Sequence, residues 1–173
     1  MSRSRTIPDA EIFSAVRALL AAGGDRAVAF SAVARATGLA APTLVQRYGS
    51  RDRMLQAALL AAWDDLDAAT AKAEAEVPLT AKGALALLRA LGAEGDQPAA
   101  APLRAADLRD PALRARASAW RARVEAALAI RLGGGARGRE TAGLVFALWQ
   151  GQALWQAAGE KSFRLKDAIK RLT

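Results

Sequence analysis

Residues 30–54 read FSAVARATGLAAPTLVQRYGSRDRM. This stretch predicts two short helices joined by a tight turn, followed by the start of a longer helix. Val33 and Ala34, then Leu39, then Leu44 and Tyr48 fall where a small two-helix unit needs its apolar contacts. Gly38 stands at the corner between the helices, where glycine reaches positive φ without steric cost. Ala34 is small enough for the second helix to cross close above it. A small residue, then a turn glycine, then an inward aliphatic at Leu44 is the helix-turn-helix pattern.

Around that core the sequence offers a surface suited to DNA. With Leu44 pointing inward, Thr43, Gln46 and Arg47 share the outer side of the second short helix, and Ala41 and Pro42 stand at its leading end. Pro42 in the first turn removes an N–H that would lack an intrahelical partner. Glutamine binds adenine and arginine binds guanine through paired hydrogen bonds in the major groove. Two compatible roles fit Ser31: N-cap of the first short helix, or phosphate contact at that helix N-terminus. Ser50 is expected to cap the longer helix that starts at Arg51. Tyr48 reads as a core aromatic whose hydroxyl lies near the surface.

Gly38-Leu39, Thr43-Leu44 and Tyr48-Gly49-Ser50-Arg51-Asp52, with Met54 in a leucine position, resemble the DNA-binding signature of TetR-family transcriptional regulators. Three positions depart from that signature. Ala40 stands where a serine often caps the recognition helix, Pro42 where glycine is usual, and Val45 where a tyrosine usually touches a phosphate. That cap and that tyrosine contact are therefore not carried over. The resemblance implies a phosphate contact at the position of Arg51, and a charge-assisted one is within an arginine's means. The motif covers about 25 residues, or about 55 with the helix before it, as read against the two-helix unit.

Before the motif, Pro8 to Ala22 predicts a long helix. Ile12, Phe13, Val16, Leu19 and Leu20 recur on one face, Asp9 and Glu11 sit near the positive end of the dipole, and Gly23-Gly24 ends it. Residues 1–6 form a polar arm with Arg3 and Arg5, read either as a disordered terminus or as a segment lying on the DNA backbone. After the motif, helices are expected from Arg51 to Glu76, from Thr80 to Ala93, over the short stretch 103–107, from Pro111 to Leu132 with Asp110 as N-cap, over 137–158, and from Ser162 to Leu172. Residues 92–102 read as a loop. Gly133-Gly134-Gly135 reads as an interhelical turn, since no strand precedes it and no GK[ST] follows.

Gly143, Ala147 and Gly151 recur every turn along the penultimate helix, which lets two helix backbones approach closely. The resemblance implies that this helix and the last one form a dimer's four-helix bundle. The ridge therefore reads either as a dimer interface or as close packing within one chain. Trp63, Trp120, Trp149 and Trp155 read either as the lining of a cavity for a largely apolar ligand, with Gln150 or Gln152 as polar fixings, or as core packing.

The 173 residues suffice for one or two domains, and their 53% hydrophobic content is rich in alanine, the best helix former. The chain lacks Cys, which excludes disulfides, thiolate metal sites and cysteine nucleophiles; it lacks His, the commonest general base and metal ligand. No catalytic constellation of the remaining residue types stands out, so the expectation is no enzyme, no metal and no cofactor. No apolar run is long enough to cross a bilayer, and the expected compartment is the cytoplasm. The net charge is +8, suited to an anionic partner. It is uneven: residues 1–55 hold eight Lys+Arg against four Asp+Glu, residues 56–98 three against seven, and residues 99–173 fourteen against six.

The expected architecture is all-α. It comprises a three-helix DNA-binding domain over residues 1–54 and a helical ligand-binding and dimerisation domain over 55–173. The expected function is a dimeric, ligand-responsive transcriptional regulator, a repressor that a small molecule releases from a double-stranded operator. The alternative is a helical protein-interaction module whose helix-turn-helix no longer binds DNA. DNA contact falls to Ser31, Ala41, Pro42, Thr43, Gln46, Arg47 and Arg51. The ligand pocket falls to Trp63, Trp120, Trp149 and Gln150, and the dimer interface to Gly143, Ala147 and Gly151.

Overall fold

The computed structural model describes residues 7–93, 109–155, 159 and 163–172. The arm with Arg3 and Arg5, the loop over 94–102, the short helix over 103–107, the last turn expected over 156–158 and the helix start at Ser162 lie outside the described residues. Every regular element among the described residues is helical: α1 Asp9–Gly23, a single 3-10 turn Asp25–Ala27, α2 Phe30–Thr37, α3 Ala41–Tyr48, α4 Arg51–Glu76, α5 Ala81–Ala93, α6 Pro111–Arg131, α7 Gly135–Trp155 and α8 Leu165–Leu172. No helix among them is long and apolar enough to cross a membrane.

The chain divides into two compact units, Met1–Trp63 and Asp64–Thr173. The first is built on one apolar cluster. Ile12, Val16 and Leu20 of α1, Val33 of α2, Leu44 of α3, and Met54 and Ala58 of α4 are all buried, with Phe13, Ala34, Leu39 and Tyr48 packed around them. The opening turns of α4 thus complete this core, and for that reason the compact unit runs past residue 54. Gly38 closes α2 in the left-handed conformation at φ 73°, with its N–H donating to the Ala34 carbonyl at 2.8 Å. A side chain at that φ would be strained, so the corner between α2 and α3 depends on glycine.

Helix starts differ in how they are capped. Asp110 accepts from the N–H groups of Ala112 at 2.8 Å and Leu113 at 3.1 Å, with Pro111 following it. Ser50 Oγ accepts from Arg53 N–H at 3.2 Å. The expectation that Ser31 caps α2 is not met. Ala29 holds the N-cap position with extended backbone and no side-chain bond, and Ser31 lies inside the first turn. The helix starts earlier because Phe30 is drawn into helical geometry by packing against the apolar cluster. Likewise Ala40 holds the N-cap position of α3 without a side-chain bond.

In the second unit α6 packs on α7, α7 on α8, and α5 on both α6 and α8. Trp120, Val124 and Leu128 of α6, Val145 and Phe146 of α7, and Leu87 and Leu88 of α5 are buried. The turn before α5 has a tight constraint: a Cβ at Gly83 would fall 1.8 Å from the Pro78 carbonyl oxygen. Arg131, 5% exposed, donates to the carbonyls of Ala127 at 2.9 Å, Glu74 at 3.0 Å and Val77 at 3.2 Å. Two of these belong to the C-terminal end of α4, where a cation meets the negative end of the helix dipole.

Candidate nucleic-acid interface

α3 is held by its inner side and presents its outer one. Leu44 is fully buried, while Pro42, Thr43, Val45, Gln46 and Arg47 are exposed and Ala41 is half-buried. Thr43 and Gln46 lie about one helical turn apart, which places them on one face. Ser31 is exposed on the first turn of α2. The polar and small residues expected at the leading end and outer side of α3 therefore share an open surface.

The two arginines at this surface are engaged within the unit. Arg47 turns back toward the start of α1: its Nη1 donates to the Ile7 carbonyl at 2.8 Å and its Nε lies 3.0 Å from Asp9 Oδ1. Its guanidinium carbon also stands 5.9 Å from the centre of the Tyr48 ring. The Tyr48 hydroxyl donates to the same Asp9 oxygen, and its ring packs against Phe13 at 6.1 Å. Desolvation, followed by the bond to Asp9 and the charge of Asp9, holds the Tyr48 phenol above its ordinary pKa. One carboxylate at the start of α1 thus grips two side chains from the end of α3.

Arg51 makes a second clamp. Its Nε donates to the Val28 carbonyl at 2.7 Å, its Nη2 to the Asp25 carbonyl and, at 3.0 Å, to the Asp25 carboxylate, and its Nη1 to Asp52 at 2.8 Å. Partial burial disfavours its charge, but the bonds to Asp25 and Asp52 outweigh that and leave its pKa raised. Every nitrogen of this guanidinium has a partner in its own chain. The position from which a phosphate contact is implied is, in this arrangement, spent on joining the start of α4 to the turn that follows α1.

The residues expected to line a ligand pocket are distributed differently. Trp120 and Trp149 come together with Phe146 at ring separations of 5.9 to 6.4 Å, and Trp120 Nε1 donates to Thr70 Oγ1 at 2.9 Å. Rings at such separations are in contact, so these three pack against one another rather than enclosing space between them. Trp63 is buried in the first unit, and Trp155 is 70% exposed. Gln150 Nε2 is buried without an acceptor, whereas Gln152 Nε2 donates to the Phe163 carbonyl at 2.6 Å. On the expected ridge, Ala147 is exposed, and a Cβ built at Gly143 or Gly151 meets nothing within 4 Å. Neither glycine is thus required by close packing among the described residues.

Sequence reasoning placed the exposed residues of α3 but missed Asp9, Asp25 and the carbonyls of Ile7 and Val28 as partners of Arg47 and Arg51. The acidic start of α1 and the polar turn before α2 were the available signals.

No protein-family model matches the sequence, and no curated protein matches it. Solved structures do. A candidate transcriptional regulator from Saccharomonospora viridis in complex with choline is 16% identical with a TM-score of 0.71, covering 95% of this chain and 92% of that one. The multidrug binding protein EbrR complexed with malachite green is 23% identical with a TM-score of 0.67, covering 96% of each chain. A candidate TetR-family transcriptional regulator from Rhodococcus sp. is 23% identical with a TM-score of 0.63, covering 95% of this chain and 93% of that one. At these identities the likeness establishes the fold, which is the all-α fold of TetR-type regulators.

Proposed function

We propose that this chain is a DNA-binding transcriptional regulator that reads its operator through the outer face of α3. The observation that carries the reading is the exposed set Thr43 and Gln46 on a helix anchored by the buried Leu44 and held at its C-terminal end by the Arg47 clamp, with Arg51 bracing the start of α4 just beyond it. Held side chains lose less freedom on binding than mobile ones, so a fixed reading helix favours specific contact. Gln46 is the base-reading residue, with Thr43, Ala41 and Pro42 beside it. Ser31 and the exposed N-terminus of α2 serve a phosphate. Arg47 and Arg51 position the helix from within.

The regulator acts as a dimer, since two recognition helices about 34–36 Å apart fit successive major grooves. The open ridge Gly143, Ala147 and Gly151 supplies a face on which a second copy packs. Because a Cβ at Gly151 meets no atom of the described residues within 4 Å, Gly151→Leu should leave the helical circular dichroism intact while sedimentation reports monomer. A Gly151→Leu variant that stays dimeric places the interface elsewhere. A small molecule favours the state that fits the operator poorly and so releases it; the choline and malachite green held by two proteins of like fold support a ligand-responsive role.

The test is selection of bound fragments from genomic DNA, followed by titration of the enriched duplex against salt. The expected result is one enriched, two-fold symmetric site whose affinity falls steeply with salt. No enrichment, with binding instead to a protein partner, would return the chain to the protein-interaction reading.

A further inference from the structure

Among the described residues five large apolar side chains stand exposed, and Val45, at 43%, is the one that lies on α3. In most places a single exposed valine needs no explanation. This one has a specific setting. Leu44 beside it is fully buried, and the Val45 carbonyl accepts from the Gly49 N–H at 2.7 Å, so the fold fixes the backbone that carries it. Helical spacing sets Val45 one turn after Ala41, and Gln46 one turn after Pro42. Val45 and Gln46 are therefore neighbours at one level of the helix. Both are exposed, as is Pro42, and Ala41 is half-buried. The outer side of α3 thus offers an amide, which donates and accepts, next to an apolar strip whose side chains do neither.

We propose that Val45 is a specificity-determining residue, packing against the methyl group of a thymine beside the base pair that Gln46 reads. The inference rests on the proposed reading of DNA by α3. When that helix enters a major groove, the Val45 side chain loses its water, and so does the base edge it covers. Guanine presents two acceptors there, adenine an acceptor and a donor, and cytosine a donor. None of these bonds to valine, so covering any of them strips a polar group of water without a replacement. Thymine alone presents an apolar group on that edge, its C5-methyl. Valine against that methyl leaves no bond unmade and takes apolar surface of both out of water. Valine carries no polar side-chain atom, so a phosphate bond is closed to it and its contribution falls to the bases. The half-site therefore pairs a hydrogen-bonded adenine with an adjacent thymine chosen by shape and polarity.

The test takes the operator obtained by selection and replaces its thymines by deoxyuridine, one position at a time, in both half-sites together. This removes the methyl group and keeps the base pair and all its hydrogen-bonding groups. The full chain is titrated with each duplex, wild type beside Val45→Ser. At one thymine per half-site, next to the pair where Gln46→Ala relaxes preference, deoxyuridine should weaken wild-type binding about fourfold for each methyl, or about fifteenfold for the two. Val45→Ser should bind the thymine and deoxyuridine duplexes alike at that position and still prefer the base pair read by Gln46, since the methyl and the valine are partners in one contact. Thermal unfolding like that of the wild type confirms that this exposed substitution leaves the fold intact. Three results would overturn the proposal and leave the DNA reading standing: deoxyuridine tolerated at every position, a penalty as large in Val45→Ser as in the wild type, or an operator with no thymine beside the Gln46 pair. A chain that selects no duplex at all would overturn the DNA reading, and this inference with it.

Discussion

The two compact units both spend arginines on their own chain, but on different oxygens. In the first, Arg47 and Arg51 sit at what is proposed as a nucleic-acid surface, yet both turn inward to carbonyls and carboxylates of their own chain. In the second, Arg116 and Arg123 are similarly matched to carboxylates of α4, Arg121 pairs with Glu125, and Arg131 is buried against carbonyls. The residue type is the same throughout. What differs is which oxygens of the fold the fork meets. An arginine on an exposed helix is thus not, by its exposure alone, a ligand-binding group. Positive charge alone does not distinguish a DNA face from a scaffold clamp.

The comparison can be sharpened by mutation, beginning with the largest effect. Trp120 fills the second unit's core and its indole N–H is satisfied by Thr70. Trp120→Ala should cost about 3–5 kcal/mol in denaturant unfolding of that unit. A cost below about 1 kcal/mol would mean that the aromatic cluster is loosely packed and could open around a ligand.

Arg51→Ala is next. Val28 is buried, and removing the guanidinium takes the Arg51 donor from its carbonyl, while the Asp25 carbonyl keeps the Val28 N–H at 3.2 Å. The expected cost is about 1–3 kcal/mol of first-unit stability, read by thermal unfolding. Arg51→Lys should recover little, because one ammonium cannot reproduce a fork that reaches several oxygens. Wild-type stability in Arg51→Ala would show that the clamp is dispensable and restore a simple phosphate-contact role for this side chain.

Asp9→Asn has the smallest effect. The Asp9–Arg47 pair is substantially exposed, and such pairs are worth about 0–1 kcal/mol. The substitution removes the charge that helps hold the Tyr48 phenol above its ordinary value. Because the folded state favours the protonated phenol, its contribution is complete below the ordinary value of about 10 and is lost as pH rises beyond it. Ultraviolet titration should place the Tyr48 transition lower in Asp9→Asn than in the wild type. An unchanged transition would assign the shift to burial alone.

These side-chain roles show what a sequence discloses and what it conceals. The helix-turn-helix was legible because its signals are local: apolar spacing at Val33, Leu44 and Met54, and a corner glycine at Gly38, whose φ of 73° bears out the turn. The Asp110 and Ser50 caps were legible for the same reason. The start of α2 was misread because a serine beside the first turn gave a stronger local signal than Ala29, while packing of Phe30 set the boundary. The clamps were hidden because their partners are remote: Ile7 lies 40 residues from Arg47, and Val28 lies 23 from Arg51. Nor does spacing along α6 disclose that Arg116 and Arg123 meet acids of α4.

The central claim is that α3 reads DNA with Gln46 while Arg51 supports it from inside. The most direct test compares Gln46→Ala and Arg51→Ala on the selected operator and on duplexes altered one base pair at a time. Gln46→Ala should lose about 1–3 kcal/mol on the operator and relax preference at one position of each half-site. Arg51→Ala should weaken all duplexes alike, and its salt slope should match that of the wild type, because no phosphate contact is lost. Unchanged preference in Gln46→Ala, together with a salt slope flattened by about one unit in Arg51→Ala, would contradict both assignments.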